Sequence, residues 1–395
     1  MMRILVMLAV LLVPAAELVA APHTSKRMIV GFKKGLTPQA RTAKLNKFGL
    51  SQVETIADLG LEVAEMPVGK FQATAFRMMS DPDIYYVEED FYTIWLVNRV
   101  APVLPTLKAV TSTLPSFHQL NATAGEIPWG IARVSAQQAW KKTKGAGVRV
   151  AVIDTGVDCS HPDLAANCAT GFNAFDKKKA PLDDQGHGTH VAGTIAAVAD
   201  GKGVVGVAPL ATIVPVKVLD AKGGGRLTTI IKGLIWVGNN NIDVANMSLG
   251  SPRGTIFMRL AVSYAKSRGV AVIAASGNSG GSVGYPAAYG NTIAVAASDS
   301  SDAVAKFSSR GKQVDFIAPG VDVKSTLPGG KYGRYSGTSM ATPHVAGLAA
   351  LAVARGANGF DAVKAALGRG AAPMGGLTDK EQGKGMIDAT LIDVK

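Results

Sequence analysis

Three residues whose side chains could carry out a nucleophilic reaction stand in glycine-rich stretches of the sequence. Asp154 ends the apolar run VAVID, His187 lies between two glycines in DDQGHGTHVAGTIAA, and Ser339 lies in GRYSGTSMATPHVAG. A serine hydroxyl becomes a nucleophile when an imidazole accepts its proton, and a carboxylate can hold that imidazole in the required tautomer. Together the three residues predict acyl transfer through a serine nucleophile.

Each residue alone also permits a structural interpretation. Asp154 could be a turn residue, His187 could simply begin a helix, and the hydroxyls before the apolar run could be helix caps. The two interpretations of the Ser339 stretch are compatible, because a helix N-terminus supplies N–H donors and a favourable dipole for an oxyanion. We expect Pro343 in the opening turns of that helix, where its missing N–H does least harm.

Three long segments carry a family resemblance. DTGVDCSHPDL, HGTHVAGTIA and SGTSMATPHVAG resemble the signature segments of the subtilisin-like serine proteases, the subtilases, in the order Asp, His, Ser of that family. The resemblance runs from about residue 128 to about residue 388. It implies a serine endopeptidase with Asp154, His187 and Ser339 as catalytic residues and no cofactor for the chemistry. It also implies that the side chain of Asn278, in AASGNSGG, is an oxyanion donor beside the Ser339 N–H.

The resemblance further implies where a protein or peptide substrate binds. Two backbone segments would hold an extended peptide by strand addition, and a pocket beside them would take the side chain before the scissile bond. A glycine at the base of the pocket and the absence of an acidic residue predict broad specificity, with a preference for large apolar side chains. The two segments are Gly223-Gly224-Gly225 and Ser248-Leu249-Gly250, and the pocket is lined by 248–250, 275–277 and Gly284.

A structural calcium ion and a disulfide are the other features expected of the large domain. The family's calcium ligands correspond to the side chains of Asp163 and Asp200 and the carbonyls of Val198, Lys202 and Val204, with Glu126 as a stand-in for an N-terminal ligand. The alternative is a set of surface aspartates without metal. Two cysteines nine positions apart in an exported chain predict a disulfide between Cys159 and Cys168, against the alternative of two free thiols.

The pattern of elements predicts an α/β fold for residues 128–395. Apolar strands such as VRVAVID, TIVPVKVL and IDVANMSL alternate with helical segments, which is typical of a mostly parallel sheet with helices on both faces. In such sheets the functional residues lie at the carboxyl ends of the strands. With 47% hydrophobic and 18% charged residues, the chain of 395 residues can bury a sizeable core.

The N-terminal part predicts an exported protein made with a removable segment. Residues 1–21 have the pattern of a signal peptide, and their apolar run is too short to span a membrane. Residues 22–96 predict strand, helix, strand, helix, strand, a small α+β unit of ferredoxin-like type. The ending VEEDFYTIWL resembles the family's propeptide, which implies an intramolecular inhibitor. The spacing from VEED places its cleavage after Leu96, and the alternatives are a later cut or two cuts, because the family usually has only a few residues where this chain has 97–127. Residues 97–127 would be a linker or N-terminal arm. The alternative is a permanently attached interaction domain.

The net charge of +12 raises a competing hypothesis, that the protein binds nucleic acid. Aromatic residues do not interleave with the basic run Lys177–Lys179, and no nucleic-acid motif is present, so we expect a solvated basic surface. A second competing hypothesis is an inactive subtilase fold used for binding, which the presence of all four catalytic positions disfavours. We expect a secreted, monomeric enzyme without nucleic acid or membrane span.

Overall fold

The computed structural model describes residues 25–96 and 125–392. The expected signal peptide and most of the expected linker lie outside the described residues. The contacts divide the chain into two units, one of residues 25–54 with 62–89 and one of residues 55–61 with 90–392.

The first unit is a four-stranded sheet with two helices, which confirms the predicted α+β layout. The sheet has the order β2-β3-β1-β4. The prediction missed one strand, β2, whose residues are mostly exposed and therefore lack a hydrophobic signal. Thr37 begins α1 by accepting a hydrogen bond from the N–H of Ala40 at 3.2 Å. The elements are β1 Ser25–Phe32, α1 Pro38–Lys47, β2 Ser51–Ile56, β3 Leu61–Pro67, α2 Phe71–Met79 and β4 Ile84–Glu89.

The second unit contains the remaining elements of the described chain. Its strands are β5 Tyr92–Ile94, β6 Arg149–Asp154, β7 Phe172–Asn173, β8 Thr212–Lys217, β9 Gly224–Arg226, β10 Val244–Met247, β11 Ala271–Ala275, β12 Ile293–Ser298, β13 Val314–Pro319, β14 Val323–Leu327, β15 Lys331–Tyr335, β16 Ala371–Ala372 and β17 Met386–Ile387. Its helices are α3 Trp129–Arg133, α4 Ala136–Ala139, α5 His187–Ala196, α6 Leu227–Asn239, α7 Ile256–Ser267, α8 Thr338–Val353, α9 Gly359–Arg369 and α10 Asp379–Gln382.

A nine-stranded sheet of order β16-β17-β13-β12-β11-β10-β6-β8-β7 forms the core of the second unit. All neighbouring strands except β16 and β17 pair in parallel, which confirms the predicted α/β class. The inner strands are buried along their whole length because helices cover them. Helix α8 packs against β10 to β13 and against α5.

The ends of these elements bring the predicted reactive residues to one edge of the sheet. Asp154 is the last residue of β6, and His187 is the first residue of α5. Ser339 is the second residue of α8, and Asn278 follows shortly after the end of β11. No helix in residues 25–96 or 125–392 is long and apolar enough to cross a membrane.

Candidate active site

The imidazole of His187 is held by the buried carboxylate of Asp154. Its Nδ1 lies 2.9 Å from Oδ1 and 3.0 Å from Oδ2 of Asp154, which is fully shielded from solvent. Gly188 permits this approach, because a side chain there would overlap the carbonyl oxygen of Gly156. With Nδ1–H donating to the carboxylate, the lone pair is on Nε2, and that nitrogen can accept a proton.

Two supporting residues around this pair escaped the sequence analysis. The carboxylate of Asp183 accepts hydrogen bonds from the Thr155 hydroxyl at 2.8 Å and from the Thr189 hydroxyl at 2.6 Å, so it ties the end of β6 to the first turn of α5. The buried ammonium of Lys217 donates to the carbonyl of Thr155 at 2.6 Å and to the carboxylate of Asp184 at 2.7 Å. Asp183 could have been found from the sequence, because an aspartate just before a helix start is a recognisable signal.

Ser339 and Ser248 exchange two hydrogen bonds. The Ser339 hydroxyl donates to the Ser248 carbonyl at 3.1 Å, and the Ser248 hydroxyl donates to the Ser339 carbonyl at 2.8 Å. The second bond replaces one that the helix cannot make, because Pro343 has no N–H for the carbonyl four residues before it. Pro343 is the sixth residue of α8 and so lies in the opening turns, as expected, but its missing N–H still leaves the Ser339 carbonyl without a partner in the helix, and Ser248 supplies one.

Within the described residues, the Ser339 hydroxyl is bonded to Ser248 and not to His187. Catalytic hydrogen bonds are often unformed without substrate and close only in the complex.

Asn278 and the start of α8 place two N–H donors around one space. The Asn278 Oδ1 accepts hydrogen bonds from the N–H of Thr338 at 2.8 Å and from its hydroxyl at 2.9 Å, which orients the amide. A carbon added to Gly337 would lie 3.2 Å from the Asn278 Nδ2 and 3.6 Å from the backbone nitrogen of Ser339. Both donors therefore border the space that a side chain at position 337 would fill, where an oxyanion can be stabilised.

The two predicted substrate-binding segments hold an extended strand in this structure. Strand β5 pairs antiparallel with β9, with Thr93 opposite Gly225 and Ile94 opposite Gly224. On the other side, the N–H of Gly250 donates to the carbonyl of Trp95 at 3.0 Å. The Trp95 side chain is fully buried, and its Nε1 donates to the Gly225 carbonyl at 2.9 Å.

The Leu96 side chain lies against Gly223, where an added carbon would come within 2.8 Å of its Cδ1. Leu96 is only partly buried, whereas the side chain of the preceding residue, Trp95, is fully buried. The predicted pocket residues do lie together, since the N–H of Gly284 donates to the Ser276 carbonyl at 2.9 Å.

The predicted calcium ligands lie around the buried carboxylate of Asp163. Its Oδ2 accepts the N–H of Val204 at 2.8 Å, and its carbonyl accepts the N–H of Val198 at 2.8 Å. The Asp200 carboxylate accepts the N–H of Lys202 at 2.9 Å. Burial raises the pKa of the Asp163 carboxyl, and the nearby charge of Asp200 raises this pKa further. Asp163 and Asp200 are therefore close enough for their charges to interact, while the contacts that the two carboxylates make in this region are with backbone N–H groups.

The predicted stand-in ligand, Glu126, is engaged elsewhere, because its carboxylate forms an ion pair with the ammonium of Lys324. The hydroxyl of Tyr332 forms a hydrogen bond to the Asp163 carboxylate. No group of three or more His, Cys, Asp or Glu residues able to hold a metal occurs in the part of the chain that the structure describes. Any calcium site here therefore depends on backbone carbonyls.

The two cysteines are joined in this structure. Cys159 and Cys168 form a disulfide with their Cα atoms 5.6 Å apart. The disulfide closes the loop that follows the Asp154 segment.

His190, three residues after His187 in α5, is completely buried. Its ring stacks on that of Tyr335 with centroids 4.5 Å apart, and its Nε2 lies 3.0 Å from the Val323 carbonyl. Burial lowers the pKa of this histidine from its usual 6.5 to about 3. The residue therefore stays neutral in the folded protein over most of the pH range.

An Asp–His pair, a serine at a helix start and two neighbouring N–H donors at one edge of the sheet are features of the serine hydrolases, which act through an acyl-enzyme. Comparison with known proteins narrows the class. The Subtilase family matches residues 145–385. Subtilisin E of Bacillus subtilis (strain 168) is 40% identical over 349 residues, covering 86% of this chain and 84% of the relative. M-protease of Shouchella clausii (strain KSM-K16) is 44% identical over 304 residues, covering 76% and 70%.

Subtilisin Savinase of Lederbergia lenta is 53% identical over 230 residues, covering 58% of this chain and 84% of the relative. The chain belongs to the Subtilase family. It is a subtilisin-like serine endopeptidase, and its substrates are peptides or proteins.

Proposed function

We propose that Asp154, His187, Ser339 and Asn278 hydrolyse peptide bonds through an acyl-enzyme intermediate. The observation that carries the proposal is the convergence of the Asn278 amide and the Ser339 N–H beside Gly337. Acyl transfer needs such a pair of donors, because negative charge develops on the carbonyl oxygen in the transition state.

In this mechanism the substrate binds as a strand between residues 223–225 and 248–250. The Ser339 hydroxyl turns from the Ser248 carbonyl to Nε2 of His187, which accepts the proton as the oxygen attacks the peptide carbonyl. Asp154 stabilises the resulting imidazolium. His187 then protonates the leaving amine, and a water molecule, deprotonated by the same nitrogen, hydrolyses the ester and restores Ser339.

A fluorophosphonate probe tests the nucleophile, because it labels an activated serine covalently. We expect one label per mature chain, at Ser339, and no label in Ser339→Ala. Ser336→Ala is the matched control: it removes a hydroxyl three residues earlier, and its label should persist. A label that survives Ser339→Ala, or no label in the wild-type protein, would contradict the proposal.

We further propose that the protein is exported by residues 1–21 and is made as a zymogen. Residues 22–96 would act as propeptide, residues 97–127 as an arm, and residues 128–395 as the enzyme. The strand Tyr92–Leu96 supports this, because it occupies both substrate-binding segments. N-terminal sequencing of the secreted protein should show a cut after Leu96 that Ser339→Ala lacks. A wild-type product that still begins near residue 22 would refute the processing.

The proposed specificity is broad, with large apolar side chains preferred before the scissile bond. Gly284 supports this, because it has no side chain to fill the base of the expected pocket, and an added carbon there would lie 3.2 Å from the Ser251 carbonyl oxygen and 3.8 Å from that of Ser276. A peptide library should show leucine- or phenylalanine-like residues at the cut, and Gly284→Ala should shift the preference to smaller ones. An unchanged profile in that variant would remove Gly284 from the pocket.

The proposed structural calcium ion is held by Asp163, Asp200 and the carbonyls of Val198, Lys202 and Val204. It would stabilise the loop after α5 and take no part in the chemistry. Calcium should raise the unfolding temperature of Ser339→Ala protein, chelator should lower it, and Asp163→Asn should abolish the difference. Equal unfolding temperatures with calcium and with chelator would count against the site.

We also expect the protein to be a monomer, which size-exclusion chromatography of the Ser339→Ala protein tests.

A further inference from the structure

A side-chain hydrogen bond accompanies the strand pairing in the binding cleft. The phenol of Tyr92 donates to Oδ2 of Asp220 at 2.7 Å. Tyr92 pairs with Arg226, at the outer end of the β5–β9 ladder, four residues before Leu96. The contact therefore lies where an extended substrate would enter the cleft, away from the bond to be cut.

Asp220 is held in place as an acceptor by its own loop. Its Oδ1 accepts the N–H of Lys222 at 2.8 Å and that of Gly224 at 3.0 Å, while its N–H donates to the Gly224 carbonyl at 2.8 Å. These bonds fix the carboxylate and direct Oδ2 toward the bound strand. A preorganised acceptor loses little conformational entropy when it binds a donor.

The charges at this contact agree with its geometry. Partial burial alone would raise the pKa of Asp220, but the hydrogen bonds from Tyr92 and from the two N–H groups hold this pKa below its usual value. Burial and the bond to the carboxylate raise the pKa of the Tyr92 phenol to about 12. At neutral pH the contact is a neutral donor on an ionised acceptor, which is stronger than a bond between neutral groups.

Gly224 makes room for the contact. A carbon added to Gly224 would overlap the Tyr92 hydroxyl, which crosses this residue to reach Asp220. The backbone of Gly224 does not have a positive φ, unlike that of Gly223, so its conformation is open to other residues. Space for a side chain that crosses the ladder is therefore the reason for glycine at this position.

We propose that Asp220 is a specificity residue that selects a phenol-bearing side chain at the substrate position pairing with Arg226. The proposal deepens the peptidase function and rests on it. It identifies a preferred substrate class, peptides with tyrosine several residues before the scissile bond. The chain's own segment 92–96 is the first such ligand.

Two synthetic peptides test the proposal on the enzyme prepared from the full chain. One copies residues 88–102, EEDFYTIWLVNRVAP, and the other differs by phenylalanine in place of Tyr92. We expect kcat/KM to be about three- to tenfold higher for the tyrosine peptide, the range of a partly exposed bond to a charged acceptor. In Asp220→Asn, which keeps Oδ1 for the loop but removes the charge, this ratio should fall to about one.

Asp299 offers a matched control. Its Oδ1 accepts the N–H of Ser301 at 2.9 Å and of Ala303 at 3.0 Å, and its N–H donates to the Ala303 carbonyl, so its turn repeats that of Asp220 without the tyrosine. Asp299→Asn should keep the wild-type ratio.

The outcomes separate this proposal from the proposed function. Equal kcat/KM for the two peptides in the wild-type enzyme overturns the proposal without the need for any variant. A preference for tyrosine that persists in Asp220→Asn overturns it as well, as does an enzyme that is labelled at Ser339 but cleaves neither peptide. An enzyme that fluorophosphonate does not label overturns the peptidase mechanism itself.

Discussion

Replacing Ser248 by alanine should expose the defect that Pro343 introduces into the nucleophile's helix. In the folded protein, the Ser248 hydroxyl donates to the Ser339 carbonyl at 2.8 Å and accepts from the Asn246 amide at 2.9 Å. Ser248→Ala removes both bonds, and the Ser339 carbonyl cannot turn to its own helix because residue 343 has no N–H.

The magnitude follows from the two groups left without partners. Ser248 and Asn246 are completely buried, so water does not readily replace the lost bonds. Each unsatisfied buried group costs about 1–3 kcal/mol, so Ser248→Ala should lower the free energy of unfolding by about 2–6 kcal/mol. Pro343→Ala restores an N–H for the Ser339 carbonyl, so in that background the same substitution should cost about 1–2 kcal/mol less.

Denaturant unfolding of the four proteins of this cycle provides the measurement. All four should carry Ser339→Ala, which keeps the backbone carbonyl and prevents self-digestion. Ser325→Ala is the matched control. Its buried hydroxyl also donates to a helix carbonyl, that of His190, at 2.7 Å, but this carbonyl accepts a second hydroxyl, that of Thr194. Its loss should cost about 1 kcal/mol, with or without Pro343.

The reasoning fails if Ser248→Ala costs the same amount in both backgrounds. It also fails if Ser325→Ala shows the same coupling to Pro343, since the effect would then be a general one of loosening the fold.

Three further predictions concern catalysis, pH and the disulfide. Asn278→Asp keeps the oxygen that binds Thr338 but loses the amide donor, so kcat should fall at least about 100-fold with little change in KM, as is known for donor loss in subtilisin. The pKa of His190 is lowered by burial, so the unfolded state binds the extra proton between about pH 3 and pH 6.5. Stability of the Ser339→Ala protein should therefore fall as the pH drops below 6.5, by up to about 1.4 kcal/mol per pH unit from this residue, and His190→Gln should flatten the slope. Replacing Cys159 and Cys168 by alanine should cost about 2–3 kcal/mol of unfolding free energy.

Each of these predictions has a contrary outcome. A KM effect with unchanged kcat would make Asn278 a ground-state contact. If the stability of His190→Gln depends on pH as steeply as before, a group other than His190 is responsible for the pH dependence. Unfolding that does not respond to a reducing agent would mean that the disulfide constrains nothing.

The sequence was sufficient for features that are local or repeated along the chain. Apolar strands alternating with helices predicted the parallel sheet, and motifs of ten or more residues identified the family. Strand β2 escaped because only one of its six residues is buried. Where a strand makes its contribution through hydrogen bonds rather than through buried side chains, composition carries no signal.

The long-range contacts could not be predicted from sequence. The exchange between Ser248 and Ser339 joins residues 91 positions apart, and the bond from Tyr92 to Asp220 spans 128 positions. The sequence motifs mark Ser339 and the glycines after Asp220, but nothing in the sequence indicates which distant residue each one contacts. Pro343 was interpreted from its own helix alone, whereas its effect depends on what the end of β10 brings to that helix. Such contacts exist only after the sheet has ordered its strands.

The parallel sheet also determines how long a molecule of this enzyme survives among its own copies. Neighbouring strands come from distant parts of the chain, as β6 pairs with both β8 and β10. Pairing of this kind raises the contact order and slows folding, so a chain that has opened recloses slowly. A protease cuts its neighbours when they open, and at enzyme concentrations where cutting is faster than this slow reclosing, every opening is fatal. The working lifetime is then a rate, set by the barrier to opening the sheet rather than by the equilibrium stability of the fold.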